Sequence, residues 1–385
     1  MKIGIDCRMY GLKHAGIGRY VQNLVENLLI LDRENEYVLF ARNNPEEIKN
    51  SRPPGFARQS EQVKFKIVLA DIPHYSLKEQ WLLPLIVNKE KVDLLHFPHF
   101  NVPVFYFGKD VVTIHDLIKH TSRGMATTTR FPLIYWLKFL AYKLVFWLAI
   151  KRAQKVFVPS QFVKDELVKR YGLKAEKVIV TYEGVEIQSS KRRTILDKYN
   201  IQKPYLLYVG SVYPHKNIER LIEAIVALNT LLITNHQKRV TLVVVCARSV
   251  FWERLKEKVK RMGAEEYVNL TGFVPDEELA VLYREAKAFV FPSLSEGFGL
   301  PGLEAMAQGT PLVASDIPVF REVYGEGALY FNPLDPDDII TKIKELLENP
   351  NLQQSLRKQG PLVANRYSWG KMASKTLAGY NEVLK

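Results

Sequence analysis

The sequence predicts an α/β protein made of two doubly wound domains, each a parallel sheet with helices on both faces. Short apolar, partly β-branched runs alternate with longer helical patterns, as in buried parallel strands joined by crossover helices. The alternation stops once, between Ile187 and Pro204, and then resumes. A chain of 385 residues, 47% of them hydrophobic, is long enough for two cores.

The first half of the chain supplies one complete set of alternating elements. Strands are predicted at 3–5, 38–40, 65–68, 94–96, 111–114, 156–158 and 178–180. Helices are predicted at 18–31, 77–88, 131–153 and 161–171. We therefore assign residues 1–187 to a first domain and the polar, basic segment 188–203 to a linker.

The second half repeats the pattern. Strands are predicted at 206–209, 241–245, 268–270, 289–291, 312–314 and 328–330. Helices are predicted at 217–229, 251–262, 276–286, 301–308 and 336–348. Two such domains are expected to meet at a cleft, and ligands bind beyond the carboxyl ends of the strands in sheets of this kind.

Charge and cysteine content restrict the partners. The net charge is +13, and residues 1–190 carry 28 basic against 19 acidic side chains. This excess favours an anionic partner, either nucleotide phosphates or an anionic lipid surface, because no nucleic-acid-binding module is present. Cys7 and Cys246 lie far apart and fit no disulfide or zinc pattern, so we expect buried thiols in a reducing compartment. The first residues predict a strand and not a signal peptide, which favours a cytoplasmic location.

The segment 289–311 is the clearest candidate site. It predicts a strand, a glycine-rich loop and a helix that begins near Pro301 and ends before Gly309. A helix N-terminus that opens onto a loop suits a phosphate, and the carboxylates of Glu296 and Glu304 suit hydroxyl groups. The segment therefore fits a sugar nucleotide. The alternative is an ordinary strand–turn–helix corner.

A second glycine pattern, Gly16-Ile17-Gly18, follows the first strand. Glycines allow close backbone approach to a ligand at a helix start, which favours a phosphate or acceptor loop over an ordinary turn. The pattern fails as a dinucleotide fingerprint because Val21 occupies the third glycine position. No nicotinamide cofactor is expected.

Two polar side chains follow other strands. His115 directly follows the strand at 111–114. There it could contact a substrate hydroxyl or move a proton, and the alternative is a purely structural role. His96 and His99 have a similar but weaker pattern. A metal site built from these histidines is an alternative, but no helix-spaced histidine pair and no carboxylate partner supports it. Lys216 follows the strand at 206–209, where it could reach a diphosphate held by the Gly297 loop, or lie in solvent.

The apolar segment Phe131–Ile150 could just span a bilayer in length. Lys138 and Lys143 in its interior, and a strand directly after it, favour a helix with one face on the sheet and the other on a membrane surface. The alternative is a wholly buried helix. The acidic run Asp335–Asp338 is interpreted as a helix cap and not as a metal motif.

With these motifs in hand, the chain resembles the retaining GT-B glycosyltransferases of family GT4. The resemblance depends on the order of motifs along nearly the whole length: GIGRY, TIHDL, PSQFVKDEL, YEGV, YVGSVYPHKN, EGFGLPGLEAMAQGTP and YSWGKMASKTLAGY. It implies two Rossmann-like domains facing a cleft, with acceptor bound by residues 1–187 and nucleotide sugar by residues 204–365. It also implies that residues 366–385 form a helix that crosses back to the first domain.

The resemblance implies roles for individual residues. Glu304 would hold the ribose hydroxyls, Lys216 the diphosphate, and Glu296 would lie near the transferred sugar. His115 corresponds to a histidine beside that sugar, and with Lys216 and Glu296 it completes the expected catalytic set. The other implied donor-binding positions are Gly16, Gly18, Ser211, Gly297, Phe298, Gly299 and Leu300.

Two positions depart from the family pattern. Many members have an arginine on the diphosphate where this chain has Ser211, so either Arg19 or Arg248 substitutes or the phosphates are neutralised less strongly. The asparagine that usually precedes Gly184 is Glu183 here.

The implied reaction moves a hexose from a nucleotide-diphosphate sugar, GDP-mannose or a UDP-sugar, to a glycan or lipid-linked acceptor with retained configuration. The pathway would be cell-surface polysaccharide or glycolipid synthesis at the cytoplasmic membrane face. Lys216 and the helix N-terminus would stabilise the leaving diphosphate, so neither metal nor cofactor is expected. The alternatives are a sugar-nucleotide epimerase of the same fold and a non-catalytic sugar-nucleotide-binding subunit.

Overall fold

The structure, a computed structural model, describes residues 1–11, 15–42, 48, 64–121, 132–186, 194–247 and 249–385. They form two compact units. Unit 1 contains the described residues of 1–117, 128–184 and 368–385, and unit 2 those of 118–127 and 185–367. Arg248 and most of the basic end of the predicted linker, residues 188–193, lie outside the described residues.

Strands occur wherever the apolar runs predict them. In chain order they are β1 (Lys2–Asp6), β2 (Glu36–Ala41), β3 (Phe65–Leu69), β4 (Leu94–Phe97), β5 (Asp110–Thr113), β6 (Lys155–Val158), β7 (Val178–Val180), β8 (Tyr205–Val209), β9 (Thr241–Val245), β10 (Val268–Gly272), β11 (Ala288–Phe291), β12 (Leu312–Ser315) and β13 (Ala328–Phe331). Most of these strand residues are buried, as expected for sheets covered on both faces.

The helices include all those predicted and several that were not. In chain order they are α1 (Ala15–Leu31), α2 (Leu77–Glu90), α3 (Ile118–Thr121), α4 (Pro132–Arg152), α5 (Gln161–Tyr171), α6 (Ile195–Lys198), α7 (Ile218–Thr234), α8 (Val250–Arg261), α9 (Asp276–Glu285), α10 (Leu300–Ala307), α11 (Pro318–Tyr324), α12 (Pro336–Glu348), α13 (Pro350–Ala364) and α14 (Trp369–Leu384). Of these, α3, α6, α11 and α13 were not predicted.

Both sheets are parallel and doubly wound, which confirms the predicted fold class. Unit 1 has the strand order β3-β2-β1-β4-β5-β6-β7, and unit 2 has β10-β9-β8-β11-β12-β13. All of their strand pairings are parallel. In each sheet the strand order reverses between two central strands, β1 and β4 in unit 1 and β8 and β11 in unit 2. Ligands bind at such switch points in proteins of this architecture.

Unit 1 packs its helices on the two faces of its sheet. One core cluster joins the inner faces of α2, α4 and α5 to the strands, with Leu83, Phe146 and Leu167 buried in it. The last helix, α14, belongs to this unit and packs against α1. Its Tyr380 is fully buried against His96 of β4.

Polar side chains fix where several helices begin. The hydroxyl of Ser160 accepts a hydrogen bond from the Val163 N–H at 3.2 Å at the start of α5. At the start of α12, the Asp335 carboxylate accepts one from the Asp337 N–H at 3.0 Å. The interpretation of this acidic run as a helix cap is therefore confirmed, because a capping side chain satisfies a first-turn N–H.

Candidate functional site

A lysine and a glutamate meet at the switch point of unit 2. Lys216 follows β8 in a short 3₁₀ turn, and Glu296 follows β11, the neighbouring strand. The ammonium nitrogen of Lys216 lies 2.6 Å from Oε1 of Glu296, and the side chains are 16% and 9% exposed. A cation and a carboxylate, both mostly buried, thus lie where ligands bind in doubly wound sheets.

The loops that carry this pair are tied together. The N–H of Leu294 donates to the carbonyl of His215 at 2.8 Å, which joins the loop after β11 to the loop after β8. The hydroxyl of Ser293 donates to the same Glu296 oxygen that Lys216 contacts, at 2.7 Å. Because the carboxylate is held from two sides, its position is fixed more tightly than that of the flexible lysine.

The glycine-rich loop enters α10 through Gly299, which has a φ of 106°. The buried hydroxyl of Tyr324 donates to the Gly299 carbonyl at 2.6 Å. A Cβ at this position would lie 2.2 Å from the Tyr324 oxygen. Only glycine satisfies both the left-handed backbone and this close approach. The predicted loop with its helix N-terminus is confirmed, and the helix begins one residue earlier than predicted, at Leu300.

The second carboxylate, Glu304, lies one turn into α10. Its Oε2 accepts a hydrogen bond from the Tyr283 hydroxyl at 3.0 Å. The other predicted loop positions Gly297 and Phe298 are buried, and the Phe298 ring packs edge-to-face on Tyr367 at 5.5 Å. Lys216 and Glu296 therefore lie on two connected loops of unit 2. The Glu296 loop leads into α10, and Glu304 lies on that helix.

Ser211, two residues after β8, is exposed. Its carbonyl accepts a hydrogen bond from the buried Tyr208 hydroxyl at 2.6 Å. Of the two cations considered as replacements for the usual arginine, Arg19 lies in α1 of unit 1, and Arg248 is outside the described residues.

His115 lies just beyond β5 in unit 1, and both of its ring nitrogens face acceptors. Nε2 is 2.9 Å from the carbonyl oxygen of Pro98, and Nδ1 is 3.3 Å from Oε1 of Glu183. A carbonyl oxygen and a carboxylate only accept hydrogen bonds, so both nitrogens must carry a hydrogen for both bonds to form. The geometry therefore favours the imidazolium form.

The electrostatics of His115 agree with this geometry. Burial alone would lower the pKa of His115, but the hydrogen bond and charge of Glu183, with smaller contributions from Pro98 and Asp116, raise it above the ordinary value. The ring of Tyr20 packs edge-on against the imidazole, with centroids 4.7 Å apart. A direct contact of His115 with a sugar hydroxyl stays a prediction, and it requires one of the two existing hydrogen bonds to open.

From the sequence, Glu183 was noted only because it replaces the usual asparagine. That departure was the available signal, because an acid replaces an amide in a motif that otherwise fits the family. Its partner lies 68 positions away, a distance along the chain that no local pattern reveals.

Gly16 and Gly18 lie in the first turn of α1, whereas the sequence predicted a loop before residue 18. A Cβ on Gly18 would lie 1.9 Å from the carbonyl oxygen of Gly11, so the absence of a side chain lets the helix start against that backbone. Gly16 is exposed, and a Cβ there would meet no atom within 4 Å. A phosphate contact by either glycine stays a prediction.

A buried charge cluster after β1 was not singled out from the sequence. The guanidinium of Arg8, with a fully buried side chain, donates to Asp6 at 2.7 Å and to Glu79 at 2.6 Å. Burial raises the pKa of Glu79, whereas the Arg8 charge overcomes the effect of burial and lowers the pKa of Asp6. The cluster joins the end of β1 to the first turn of α2.

His96 is a buried structural residue. Its ring nitrogens lie 2.5 Å from the Tyr380 hydroxyl and 2.8 Å from the Thr113 hydroxyl. Burial lowers the pKa of His96 to about 3. Within the described ranges, no three His, Cys, Asp or Glu side chains are grouped as a metal site would need. Cys7 and Cys246 are free and buried, as predicted.

The apolar helix predicted at 131–153 is α4, although Phe131 itself is outside the described residues. In the part of the chain that the structure describes, no helix combines the length and the apolar character needed to cross a membrane.

Two family descriptions match the chain. Residues 14–189 match "Glycosyltransferase Family 4", and residues 191–363 match "Glycosyl transferases group 1". The division between the two matches falls within the predicted linker.

Among similar curated proteins is O-antigen chain mannosyltransferase RfbU of Salmonella typhimurium, 31% identical over 277 residues, or 70% of each chain. O-antigen chain mannosyltransferase B of Escherichia coli is 28% identical over 381 residues, covering 95% of this chain and 96% of that protein. Among solved structures, sucrose-phosphate synthase from Thermosynechococcus elongatus superposes with a TM-score of 0.75 at 21% identity, covering 100% of this chain and 99% of that one.

Proposed function

The chain belongs to glycosyltransferase family 4, a glycosyltransferase of GT-B fold, and we propose that it transfers a hexose with retained anomeric configuration. The donor is a nucleotide-diphosphate sugar, and GDP-mannose is our first choice because two similar proteins are named as mannosyltransferases. A UDP-sugar is the second choice. The acceptor is a glycan or a lipid-linked sugar in the synthesis of a cell-surface polysaccharide, on the cytoplasmic side.

One observation carries the proposal: the Lys216–Glu296 pair at the switch point of unit 2, beside the N-terminus of α10. As the bond to the sugar breaks, the leaving diphosphate gains negative charge. Lys216 and the first-turn N–H groups of α10 supply positive charge for it, and preorganised charge of this kind is usually the largest contribution to catalysis. Transfer by this route needs no metal.

The two carboxylates of unit 2 have different tasks in this proposal. Glu304 binds the ribose hydroxyls of the donor, since a carboxylate accepts two hydrogen bonds from neighbouring hydroxyls. Glu296 orients Lys216 before the donor binds and then faces the transferred sugar. The leaving phosphate accepts the proton of the acceptor hydroxyl, so no side-chain nucleophile is required.

The proposal is tested in two steps. A thermal-shift screen of GDP-, UDP- and ADP-sugars identifies the donor, because a ligand that binds the folded state raises the melting temperature. The donor is then incubated with a mannose-terminated oligosaccharide, with and without EDTA, and the anomeric configuration of the product is read by NMR. We expect acceptor-dependent release of nucleoside diphosphate, unchanged by EDTA, and an α-linked product from an α-linked donor.

Three outcomes contradict parts of the proposal. Consumption of the donor without acceptor, to give a second sugar nucleotide, identifies an epimerase. Binding without turnover under any acceptor identifies a non-catalytic subunit. Loss of activity in EDTA, restored by Mg²⁺, overturns metal independence.

A further inference from the structure

We propose that the outer surface formed by α2, the loop at residues 104–107 and α4 binds the surface of an anionic membrane. We call this surface the apolar face of unit 1. This proposal goes beyond the proposed reaction, because it concerns membrane attachment of the protein and not the sugar that it transfers. Four observations support the proposal: two exposed apolar stripes, a loop packed between one stripe and the end of the other helix, and exposed charges on the two helices that are all positive.

The first stripe lies on α4. Trp136, Leu140, Leu144 and Trp147 recur at intervals of three or four residues and are 46–66% exposed. This spacing aligns them on one side of the helix. On the opposite side Phe146 is fully buried in the core cluster of unit 1. The helix therefore has an apolar outer stripe as well as an apolar inner one.

The second stripe lies on α2. Leu77, Trp81 and Leu85 recur every fourth residue and are 59–86% exposed. Leu83 and Val87 on the other side of the helix are buried in the same core cluster as the inner side of α4. Because both helices cover the same side of the sheet, their outer stripes point away from that side together.

The loop after β4 connects the α2 stripe to the end of α4. The Phe105 ring stacks on Trp81 with centroids 3.8 Å apart and an interplanar angle of 24°. Arg152, at the end of α4, donates to the carbonyl of Val104 at 2.7 Å and to that of Tyr106, and its guanidinium lies 4.8 Å from the Phe107 ring centroid. Phe107 is 80% exposed. The loop is therefore stacked on the α2 stripe and bonded to the last residue of α4, and it adds the exposed Phe107 ring to the apolar face.

The charges on the two helices indicate what kind of partner the apolar face binds. Helix α4 has no acidic residue, and the two acids of α2 are engaged: Glu79 with Arg8, and Glu90 with Lys66. The exposed lysines on these helices are Lys78, Lys89, Lys138, Lys143 and Lys151. Exposed apolar patches of this extent mark interaction sites. Exposed tryptophan and leucine with exposed lysines, on two helices that carry no exposed acid, fit a bilayer interface with anionic headgroups.

The experiment uses the full chain and sedimentation with vesicles. Vesicles of phosphatidylcholine alone are compared with vesicles containing 30% phosphatidylglycerol, each at low and high salt. We expect at least tenfold more bound protein on the anionic vesicles, and less at high salt, because surface charge is screened. The tryptophan emission should shift to shorter wavelength, since three of the five tryptophans lie on the apolar face.

Two double variants test whether the surface is composite. Trp136→Ser with Trp147→Ser removes part of the α4 stripe, and Leu77→Ser with Trp81→Ser removes part of the α2 stripe. We expect each double variant to lose at least fivefold in vesicle binding. The matched control is Phe273→Ser in unit 2, which removes a 65% exposed aromatic residue elsewhere and should bind as the unmodified chain does. Circular dichroism confirms that each variant is folded.

Other outcomes overturn the proposal. Equal binding to neutral and anionic vesicles rejects the role of charge. Full binding by the α2 variant reduces the surface to α4 alone. No vesicle binding, together with a dimer in size-exclusion chromatography that the tryptophan variants disrupt, assigns the apolar face to a second copy of the chain. Donor turnover with a soluble acceptor is measured in parallel and does not depend on any of these results.

Discussion

Each unit has a cation–carboxylate pair beyond the carboxyl end of its sheet, and the two pairs differ in how the cation is held. In unit 2 the Lys216 ammonium contacts one Glu296 oxygen at 2.6 Å, at the end of a flexible side chain. In unit 1 the His115 ring is held on both nitrogens, by Glu183 and by the Pro98 carbonyl. To turn toward a ligand, Lys216 must give up its contact with Glu296, whose carboxylate keeps the hydrogen bond from Ser293. His115 cannot move without losing a hydrogen bond.

The different ways in which the two cations are held suit them to different functions. An ammonium on a flexible side chain near a helix N-terminus is suited to stabilise a diphosphate as its charge develops. A fixed imidazole, whose charge depends on its acid partner, is suited to position neighbouring groups and to respond to pH. We therefore expect substitutions in the Lys216 pair to change turnover and substitutions in the His115 pair to change pH dependence.

The largest expected effect comes from Lys216→Ala. Loss of the cation should lower kcat by about a hundredfold to a thousandfold, as removal of one preorganised donor does in other enzymes. The measurement is the initial rate of nucleoside diphosphate release at saturating donor. Lys258→Ala, which removes another partly exposed, ion-paired lysine of unit 2, should leave kcat unchanged. Unaltered turnover in Lys216→Ala would reject the diphosphate role.

A smaller effect is expected from Glu304→Ala, and it should appear in binding. Hydrogen bonds to a charged group contribute about 1.5–3 kcal/mol, so the Kd of the nucleoside diphosphate should rise roughly ten- to hundredfold. Isothermal titration calorimetry measures this directly. Glu257→Ala, an exposed acid on α8, is the control. If Kd stays constant while kcat falls, Glu304 acts on the reaction and not on the ribose.

Glu183→Gln tests the other side of the comparison. The pKa of His115 is raised above 6.5 in the folded state, so the pair stabilises the fold fully below pH 6.5 and loses this contribution as pH rises through the raised value. Substitution should therefore destabilise the protein by about 1 kcal/mol near pH 6 and by progressively less at higher pH.

Urea unfolding of both proteins from pH 6 to pH 9 measures this difference. Glu186→Gln, three residues along and exposed, should show no pH-dependent change. A stability difference that is constant across the range would mean that Glu183 contributes packing or a neutral hydrogen bond, and that His115 is not charged by it.

The smallest effect is expected from Tyr324→Phe, which leaves both pairs in place and loosens the loop between Glu296 and α10. The variant loses the hydrogen bond to the Gly299 carbonyl, so we expect about 1 kcal/mol less stability and a nucleotide Kd raised by less than tenfold. Urea unfolding and calorimetry check both values. Tyr267→Phe, a partly exposed tyrosine of unit 2, is the control. A Kd change as large as that of Glu304→Ala would mean that the loop itself contacts the nucleotide.

The sequence predicted the strands because buried parallel strands are short, apolar and β-branched, as in Thr241–Val245. It missed α13, whose Gly360-Pro361 pair is a typical helix-breaking signal. In the structure Gly360 packs closely against Met306, and the helix continues through Pro361. Close tertiary packing thus overrides the local signal, and the sequence does not show which residue will lie opposite the glycine.

The candidate site was predicted unevenly for the same reason. Strand–loop–helix patterns locate Lys216, Glu296 and Glu304, because position at a strand end is a local property. The side chains that they contact are remote in the sequence: Tyr283 lies 21 positions from Glu304, and Lys216 lies 80 positions from Glu296. To predict such partners one must know the order of the strands in the sheet, which local sequence patterns do not reveal.

The central claim is that Lys216, the cation at the switch point of unit 2, binds a diphosphate. The most direct measurement is calorimetric titration of a nucleoside diphosphate and the matching monophosphate into the unmodified chain and into Lys216→Ala. The diphosphate should bind the unmodified chain at least tenfold more tightly than the monophosphate, and the variant should lose most of this preference. An equal preference in both proteins would contradict the claim and remove Lys216 from the diphosphate site.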